Sequence, residues 1–335
     1  MLDAGDSGDV WAVAFHQDGK HLLGGTRDGI RRWQLADSQE VERQKKDILT
    51  YAIAVSRDQR WIVCGTEEGA SVWDEETHEK VIDVEGTSTV YAVDVSPDST
   101  RFATGITEAG SIWSITSGKR LVGPLIGHVG VVGGVRFSPN DEHIAIVGSS
   151  DICIFDSHTG NKLVTINNID ISYWVGTPIA WSSDGQQIFA ASNDNTINSF
   201  DVSTGSQVAE SQVLHDGATE VPSLALAANG KFIATFAWHS ITFLDTSTLA
   251  QIGPVIEDSE QIRSIAISSN SSQLATGQGN GKIAIRDLSG ILPDSYGPFH
   301  VSHHEPKFAI PPMLTNRVGT QERRSTTRQQ RRQST

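Results

Sequence analysis

The sequence predicts an all-β chain built from seven copies of one four-stranded unit, and three observations support this prediction. A marker position, most often Trp or Phe, recurs at the end of a short apolar segment every 40 to 45 residues. Turn tetrapeptides such as HQDG, SPDS and SSDG recur in the same register, each between two apolar segments. Apolar and polar residues alternate with a period of two, which is typical of strands, and no strong helical stripe interrupts them.

The markers divide the chain into seven repeats. They stand at intervals of 40, 40, 42, 45, 44 and 42 residues: Trp33, Trp73, Trp113, Phe155, Phe200, Leu244 and Arg286. The repeats span approximately 8-47, 48-87, 88-128, 129-170, 171-217, 218-260 and 261-299. Two markers that keep one register make a chance periodicity implausible, so the repeats define a single domain over residues 1-299.

Repeat 2 shows the four expected strands in order. TYAIAVS is followed by the turn RDQ, RWIVCGT by EEG, ASVWD by EETHE, and KVIDV ends the repeat. Each strand is short and rich in β-branched residues, and each turn carries Asp, Glu, Gly or Thr. We therefore expect every repeat to form an antiparallel sheet.

The first strand of each repeat indicates how these sheets assemble. One of its faces carries two bulky apolar residues in every copy, whereas the other face has a small residue three positions before the last apolar one: Ala12, Ala52, Ala92, Gly134, Pro178, Ser223 and Ser264. Sheets that converge on a central axis leave little volume there, so this pattern predicts a seven-bladed β-propeller. The same face also includes the position between the two bulky residues, where Asp94 and Arg136, in adjacent repeats, are not small. We expect them to pair across the blade interface, with channel water facing both as the alternative.

The elements FSPN, Gly127-His128 and Trp73-Asp74, set in repeats of this length, resemble the WD-repeat family of seven-bladed propellers. The resemblance covers about residues 1 to 290, and its style is similar to WD-repeat proteins of basidiomycete fungi. The family's hydrogen-bonded set of His, Ser or Thr, Asp and Trp is complete in no repeat, because Gly127-His128 is the only Gly-His pair and its repeat has Phe155 at the marker. The resemblance implies blades that depend more on apolar packing than on that set.

Two segments are candidates for the strand that closes the ring. Leu2 to Ala4 correspond in register to the outer strand KVIDV, and we favour them over the rival segment ILPDSYGPF at 291 to 299, whose Pro293 suits a sheet edge. The chain begins at the segment that we expect to close the ring, so a fragment of a longer protein is an alternative interpretation. Residues 300-335 follow the last repeat, and the Arg-rich composition of their end predicts a disordered tail.

Charge and composition limit the function classes. The net charge is -14, yet residues 311 to 335 hold six Arg and one Glu, so the rest of the chain carries 20 basic and 39 acidic side chains. An acidic body makes nucleic acid an unlikely ligand for the domain, although the basic tail can meet an acidic surface. No apolar run reaches the length of a membrane span, and Cys64 and Cys153 lie in strand-like segments. We expect a cytoplasmic protein, with the nucleus as an alternative, and no membrane partner.

No segment predicts catalytic, cofactor-binding or metal-ligating chemistry. GQGNGK, residues 277 to 282, lacks phosphate-loop spacing and precedes a strand, so we interpret it as a hairpin turn with Asn280-Gly281 at its tip. HVSHHE, residues 300 to 305, offers His300, His303, His304 and Glu305 as conceivable metal ligands, but a solvated tail is the simpler interpretation. We expect no cofactor and no enzyme activity.

What remains is a binding surface. The resemblance implies that partners dock at the mouth of the channel, through residues at the start of the innermost strands and in the turns before the third strands. The candidate protein-binding residues are Trp11, Tyr51, Tyr91, Trp174, Trp238 and Arg263. We therefore expect a non-enzymatic scaffold that binds protein partners of unknown identity. A regulatory or sensor module of a larger multidomain protein is the alternative, followed by a lactonase-like or quinoprotein-like propeller enzyme.

Overall fold

In the computed structural model, the chain forms seven four-stranded antiparallel sheets arranged as the blades of a β-propeller, which confirms the predicted fold class. Six blades are continuous in sequence, and the seventh takes its outer strand from the N-terminus. The strands of blades 1 to 3 are β2 (Ala12–Phe15), β3 (His21–Thr26), β4 (Gly29–Gln34), β5 (Glu40–Lys45), β6 (Thr50–Val55), β7 (Trp61–Thr66), β8 (Gly69–Asp74), β9 (Lys80–Glu85), β10 (Ala92–Val95), β11 (Arg101–Gly105), β12 (Gly110–Ser114) and β13 (Arg120–Leu125).

The remaining blades follow the same plan. Their strands are β14 (Gly134–Phe137), β15 (His143–Val147), β16 (Asp151–Asp156), β17 (Lys162–Asn167), β18 (Ile179–Trp181), β19 (Gln187–Ala191), β20 (Ile197–Asp201), β21 (Gln207–Glu210), β22 (Ser223–Leu226), β23 (Phe232–Ala237), β24 (Ser240–Asp245), β25 (Ile256–Glu257), β26 (Ile262–Ile267), β27 (Gln273–Gln278), β28 (Lys282–Asp287) and β1 (Leu2–Asp3). A 3-10 turn, Asp294–Tyr296, follows β28.

The structure describes residues 1–5, 8–45, 48–85, 88–107, 109–128, 130–171, 178–214 and 223–297. The chain divides into a unit spanning Met1–Phe299 and a second unit, His300–Thr335. The second unit, with its predicted disorder and its histidines, lies outside the described residues. Among the described residues, no helix is long and apolar enough to cross a membrane.

The small residues of the innermost strands allow neighbouring blades to approach closely. Ala92 of β10 pairs with Gly105 of β11, and a Cβ atom on Gly105 would lie 2.4 Å from Cγ1 of Val132 at the approach to blade 4. Likewise, Ala52 pairs with Gly65, where a Cβ atom would lie 2.7 Å from the Val90 carbonyl oxygen at the approach to blade 3. Contacts this short exclude larger side chains at these second-strand positions. Among the small first-strand residues, Gly134 leaves only 3.1 Å between an added Cβ atom and Cδ of Pro178, the equivalent residue of blade 5, so its small size permits this close approach.

The apolar core lies between adjacent blades. One cluster joins Ala103 and Ile112 of blade 3 to Val135 and Ile144 of blade 4, and another joins blades 4 and 5 around Ile154 and Trp181. Stacking between sheets buries the two faces of each strand, which explains why so many third-strand residues are fully enclosed. The blades are therefore stabilised mainly by their neighbours.

The N-terminal strand closes the ring, as favoured from the sequence. Leu2 pairs with Ile283 and Asp3 with Lys282, and the amide of Ala4 donates to the Gly281 carbonyl at 2.8 Å. Leu2 is buried. The rival segment instead turns at Asp294–Tyr296, and its Ile291, Leu292 and Tyr296 pack in the cluster of blades 6 and 7. The predicted hairpin at Asn280-Gly281 is also confirmed, since it joins β27 to β28.

Aspartates at the end of the third strands brace the following turn. Asp74 Oδ1 accepts hydrogen bonds from the amides of Glu76 and Thr77 at 2.9 and 3.1 Å, and Asp156 does the same for His158 and Thr159. The backbone amides lower the pKa of the Asp74 carboxyl. The Trp73-Asp74 dipeptide thus owes its aspartate to turn geometry.

Blade 7 contains an ionic substitute for the family's hydrogen-bonded set, and sequence analysis missed it. Arg286 occupies the Trp marker position, donates to Thr276 Oγ1 at 2.9 Å and pairs with Asp258. Asp258 stands nine residues before Ile267, as His128 stands nine before Phe137, so it occupies the position of the Gly-His histidine. The Gln278 side chain also donates to Asp258 at 2.8 Å. Blade 3 keeps a neutral remnant, in which the Trp113 indole donates to Thr104 at 2.9 Å.

Cys64 and Cys153 are both buried and free. Burial raises the pKa of the Cys64 thiol and of the Cys153 thiol. Neither thiol is therefore ionised near neutral pH, and both act as small apolar core residues.

Candidate protein-binding surface

The seven innermost strands surround a central channel with a volume of about 810 Å³. Because every blade is an antiparallel meander, the start of its first strand and the turn between its second and third strands lie at the same end of the channel. We call this end the aromatic mouth, after Trp11, Tyr51 and Tyr91, which line the channel there. The turns after the first strands lie at the opposite end.

Local backbone geometry sets the positions of these side chains. The amides of Trp11 and Tyr91 donate to the carbonyls of Gly25 and Gly105, so each residue continues its sheet by one position. Tyr51 lies at a register shift in the pairing of β6 with β7, and Arg263 lies at the equivalent shift between β26 and β27. Such irregularities re-aim a side chain relative to a regular ladder.

The structure brings four predicted residues together as a continuous row across blades 7, 1, 2 and 3. The Arg263 guanidinium carbon lies 5.1 Å from the centroid of the Trp11 ring. The Trp11 and Tyr51 rings are 6.3 Å apart at an interplanar angle of 60°, and the Tyr51 and Tyr91 rings are 5.4 Å apart at 50°. All three aromatic side chains are half-buried, so each contacts its neighbours and also presents area to solvent.

An ion pair orients the arginine end of the row. Arg263 Nε lies 3.1 Å from Oδ2 of Asp9, and both side chains are 22% exposed. Asp9 was not among the sequence-predicted residues, because nothing in the repeat pattern distinguishes it from other acidic residues before a first strand. Held by Asp9, the guanidinium stays above the Trp11 ring, where a cation is attracted by the ring's negative face.

Trp238 and Trp174, the other two candidate binding residues, lie apart from this row or outside the described residues. Trp238 is 37% exposed at the tip of the β23–β24 hairpin and has a positive φ of 51°, which is uncommon for a bulky residue. Its carbonyl accepts a hydrogen bond from the Ile262 amide at 2.7 Å, so its backbone adjoins the strand that carries Arg263. Trp174 lies outside the described residues.

The aromatic mouth is predominantly acidic among the residues that the structure describes. Besides Asp9, the loops and turns at this end carry exposed or partly exposed carboxylates at Asp28, Glu67, Glu68, Asp170, Asp194, Glu257 and Glu260. Burial, and after it the nearby Tyr91 hydroxyl and Glu67 carboxylate, raise the pKa of Tyr51. A cationic ligand would find complementary charge here.

Deeper in the channel, Asp94 and Arg136 form the predicted pair. Arg136 Nη1 lies 3.1 Å from Asp94 Oδ1, and the Phe137 amide donates to Asp94 Oδ2 at 2.8 Å. The two side chains are 34% and 15% exposed for Arg136 and Asp94, so the pair bridges blades 3 and 4 and still faces the channel. Burial raises the pKa of the Asp94 carboxyl, against the opposing effect of Arg136.

The wall of the channel is otherwise poor in catalytic groups. Among its described lining residues, Asp94 supplies a carboxylate, and no histidine is present. A pair of convergent acids, or an acid and a base within hydrogen-bonding distance, is the usual minimum for acid and base chemistry. The mouth presents aromatic and charged side chains of the types that recognise ligands at protein interfaces.

Comparison with known families gives one match. The family described as WD domain, G-beta repeat matches residues 2–30 and 179–201. The first segment runs from the closing strand β1 into β4 of blade 1, and the second covers β18 to β20 of blade 5. No curated protein matches the sequence.

Proposed function

We propose that this seven-bladed propeller, two segments of which match the WD-repeat family, is a non-enzymatic scaffold that binds a partner protein at the aromatic mouth. Propellers of this family are generally protein-interaction scaffolds and typically lack enzyme activity. The fold alone does not specify a partner, so the proposal depends on the site.

The row formed by Arg263, Trp11, Tyr51 and Tyr91 is the observation that carries this proposal. Tyr, Trp and Arg are enriched among the residues that dominate the energetics of protein interfaces, and the two aromatic types bury large areas with only two side-chain torsions each. Here they are already packed against one another, so little side-chain freedom would be lost on binding. Their half-buried state leaves one edge or face of each ring for a partner.

Charge at the same end supports a cationic partner segment. The chain outside its Arg-rich end carries 39 acidic against 20 basic side chains, and exposed carboxylates surround the row. The chain itself displays a suitable contact, since Arg263 lies on the Trp11 ring while it pairs with Asp9. We infer that a lysine or arginine of the partner contacts the Tyr51 and Tyr91 rings, with Glu67 in the role that Asp9 has for Arg263.

The test is affinity purification from the source organism with three forms of the full chain. The wild type is compared with the triple variant Trp11→Ala, Tyr51→Ala, Tyr91→Ala. The control is the triple variant Gln17→Ala, Arg57→Ala, Pro97→Ala, which alters the opposite end of the channel in the same three blades. We expect a stoichiometric partner that the wild type and the control retain, with affinity for the aromatic variant at least about tenfold weaker.

Circular dichroism and the unfolding midpoint establish that both variants remain folded. A partner that binds all three folded forms with equal affinity would refute binding at the aromatic mouth. The cationic partner is tested separately by the variant Glu67→Gln, Glu68→Gln, with Glu76→Gln, Glu79→Gln as the control at the opposite end of blade 2. The substitutions at Glu67 and Glu68 should weaken binding of the partner and reduce the dependence of its affinity on salt, whereas those at Glu76 and Glu79 should do neither.

We also propose a cytoplasmic or nuclear location. Two free, buried cysteines are typical of a chain that folds in a reducing compartment. Fluorescence microscopy of the tagged full chain tests this proposal, and a signal confined to the secretory pathway would refute it.

A further inference from the structure

The first hairpin of blade 1 gathers three potential metal ligands that sequence analysis did not single out. His16 follows β2, Asp18 lies in the turn, and His21 begins β3. One ligand atom from each of these residues lies within 4.8 Å of the other two. His21 Nδ1 is 2.6 Å from Asp18 Oδ2, and His16 Nδ1 is 3.1 Å from Asp18 Oδ1. We call these residues the hairpin cluster.

Other blades show what this turn requires for its structure alone. In five of them a serine hydroxyl at the His16 position donates to an Asp or Asn two residues later, at 2.5 to 2.7 Å: Ser56 to Asp58, Ser96 to Asp98, Ser138 to Asn140, Ser182 to Asp184, and Ser268 to Asn270. The turn therefore forms without an imidazole. In blade 1 the hydroxyl is replaced by His16, and a second imidazole stands five residues later.

A further carboxylate supports the buried histidine. His16 is 4% exposed, and its Nε2 lies 3.4 Å from Oε1 of Glu75, at the end of β8 in blade 2. Glu75 also pairs with Arg32, which fixes the carboxylate. An imidazole with one nitrogen toward a ligand cluster and the other toward a carboxylate has the arrangement of a metal-bound histidine.

We propose that His16, Asp18 and His21 bind a divalent transition-metal ion, with Zn²⁺ the best match to two imidazoles and one carboxylate. Zn²⁺ accepts nitrogen and oxygen ligands in a four-coordinate site, whereas Mg²⁺ and Ca²⁺ prefer oxygen ligands alone. The Asp18 and His21 side chains are each 23% exposed, so water can reach the fourth position. Bound metal would join the hairpin of blade 1, through His16 and Glu75, to blade 2.

The experiment titrates Zn²⁺ into the full chain, purified without a histidine tag and stripped of metal by a chelator. All forms carry His300→Gln, His303→Gln and His304→Gln, so that Zn²⁺ bound near those residues is not counted. Calorimetry should show one saturable site, and Zn²⁺ should raise the unfolding midpoint by a few degrees. Mg²⁺ should produce neither effect.

Two variants replace the ligands with residues that other blades already use in the same turn. His16→Ser and Asp18→Asn should each weaken Zn²⁺ binding at least tenfold while the metal-free unfolding midpoint changes little. The matched control is His143→Gln, because His143 holds the His21 position in blade 4 beside Ser138 and Asn140. Absence of a saturable Zn²⁺ site, or wild-type affinity in both folded variants, would overturn the proposal.

Discussion

Asp94 and Arg136 place opposite charges on adjacent first strands, at a wall that water reaches only in part. The Asp94 carboxylate also accepts the Phe137 amide, so its negative charge has two partners in blade 4. Burial opposes ionisation of Asp94, as the raised pKa indicates. The pair consequently specifies which blades meet more than it adds net stability.

A double-mutant cycle measures this coupling. Arg136→Ala leaves a partly buried carboxylate without its cation, and we expect it to lower the free energy of unfolding by about 1 to 3 kcal/mol. The double variant Asp94→Ala, Arg136→Ala should be less destabilised than either single variant. Urea unfolding provides the four free energies, and additive effects would show that the pair has no coupling. A parallel cycle at Lys80 and Asp83, three residues apart on the outer strand of blade 2, should give about 0 to 0.5 kcal/mol.

Asp245 links the C-terminal 3-10 turn to blade 6. Burial raises its pKa, but the hydroxyls of Ser247, Tyr296 and Thr248 prevail and lower it to about 2. The Tyr296 hydroxyl donates to Asp245 Oδ2 at 2.7 Å. Since the folded-state pKa lies below the ordinary 3.8, the ionised carboxylate stabilises the fold above that value, and the contribution disappears as pH falls through the folded pKa.

Tyr296→Phe should therefore raise the pKa of Asp245 toward its ordinary value. We expect the variant to be less stable than the wild type at neutral pH, with the difference shrinking as pH falls from about 4 to about 2. Urea unfolding across this range measures the difference, and carboxyl NMR reports the pKa. In an Asp245→Asn background the tyrosine substitution should show no such pH dependence; a persistent dependence there would assign the effect to another group.

At the scale of elements, the ring depends on a two-residue strand. β1 contributes only Leu2 and Asp3 to the ladder of blade 7, yet Leu2 belongs to the same apolar cluster as Trp33 of blade 1. Its side chain therefore packs between the first and last blades as well as completing a sheet. Closure removes the exposed edges that an open array of blades would present.

Leu2→Ala should lower the free energy of unfolding by about 2 kcal/mol or more, because it leaves a cavity at the junction of blades 1 and 7. Val81→Ala is the matched control, since Val81 lies in the outer strand of blade 2 but is 46% exposed. It should change stability by less than about 0.5 kcal/mol. Equal effects of the two substitutions on the free energy of unfolding in urea would contradict a stabilising role for β1.

The ionic set of blade 7 gives a second element-scale prediction. Arg286→Trp restores the usual marker but deprives Asp258, which is 5% exposed, of its cation. We expect a loss of about 2 kcal/mol or more. Adding Asp258→His should recover at least half of this loss, because Thr276 then lies between a histidine and a tryptophan as in the family's set. Thermal unfolding measures the stability of the two variants. A double variant no more stable than Arg286→Trp would show that Asp258 and Arg286 do not stand in place of the family's histidine and tryptophan.

At the scale of the whole molecule, the repeat pattern predicted the blades, the closing strand and the Asp94–Arg136 pair. These follow from register, which a period of about 40 residues carries along the entire chain. The pairs Arg263–Asp9 and Arg286–Asp258 were not predicted, because they depend on which loop side chains meet at the channel end or blade edge. The hairpin cluster was missed for a related reason: the aligned turns show a histidine in place of a serine, but the short distances from Asp18 to His16 and His21 depend on side-chain positions that register does not specify.

The candidate site was predicted in part. Register placed Trp11, Tyr51, Tyr91 and Arg263 at equivalent strand starts, and the structure brings them into one row. Consecutive repeats form neighbouring blades around the axis, so equivalent residues of consecutive repeats lie close together in space. Sequence alone did not specify ring angles or burial, which depend on local shifts such as the one at Tyr51.

Site-directed photo-crosslinking tests the central claim most directly. A photoreactive phenylalanine analogue is incorporated at Tyr51 in one form of the full chain and at Arg57, in the turn after the same strand at the opposite end of the channel, in another. Mass spectrometry then identifies the crosslinked residues of the bound partner. We predict crosslinks from position 51 to a lysine- or arginine-containing segment of the partner and none from position 57. Efficient crosslinks from position 57 alone, with position 51 silent in a folded chain, would contradict binding at the aromatic mouth.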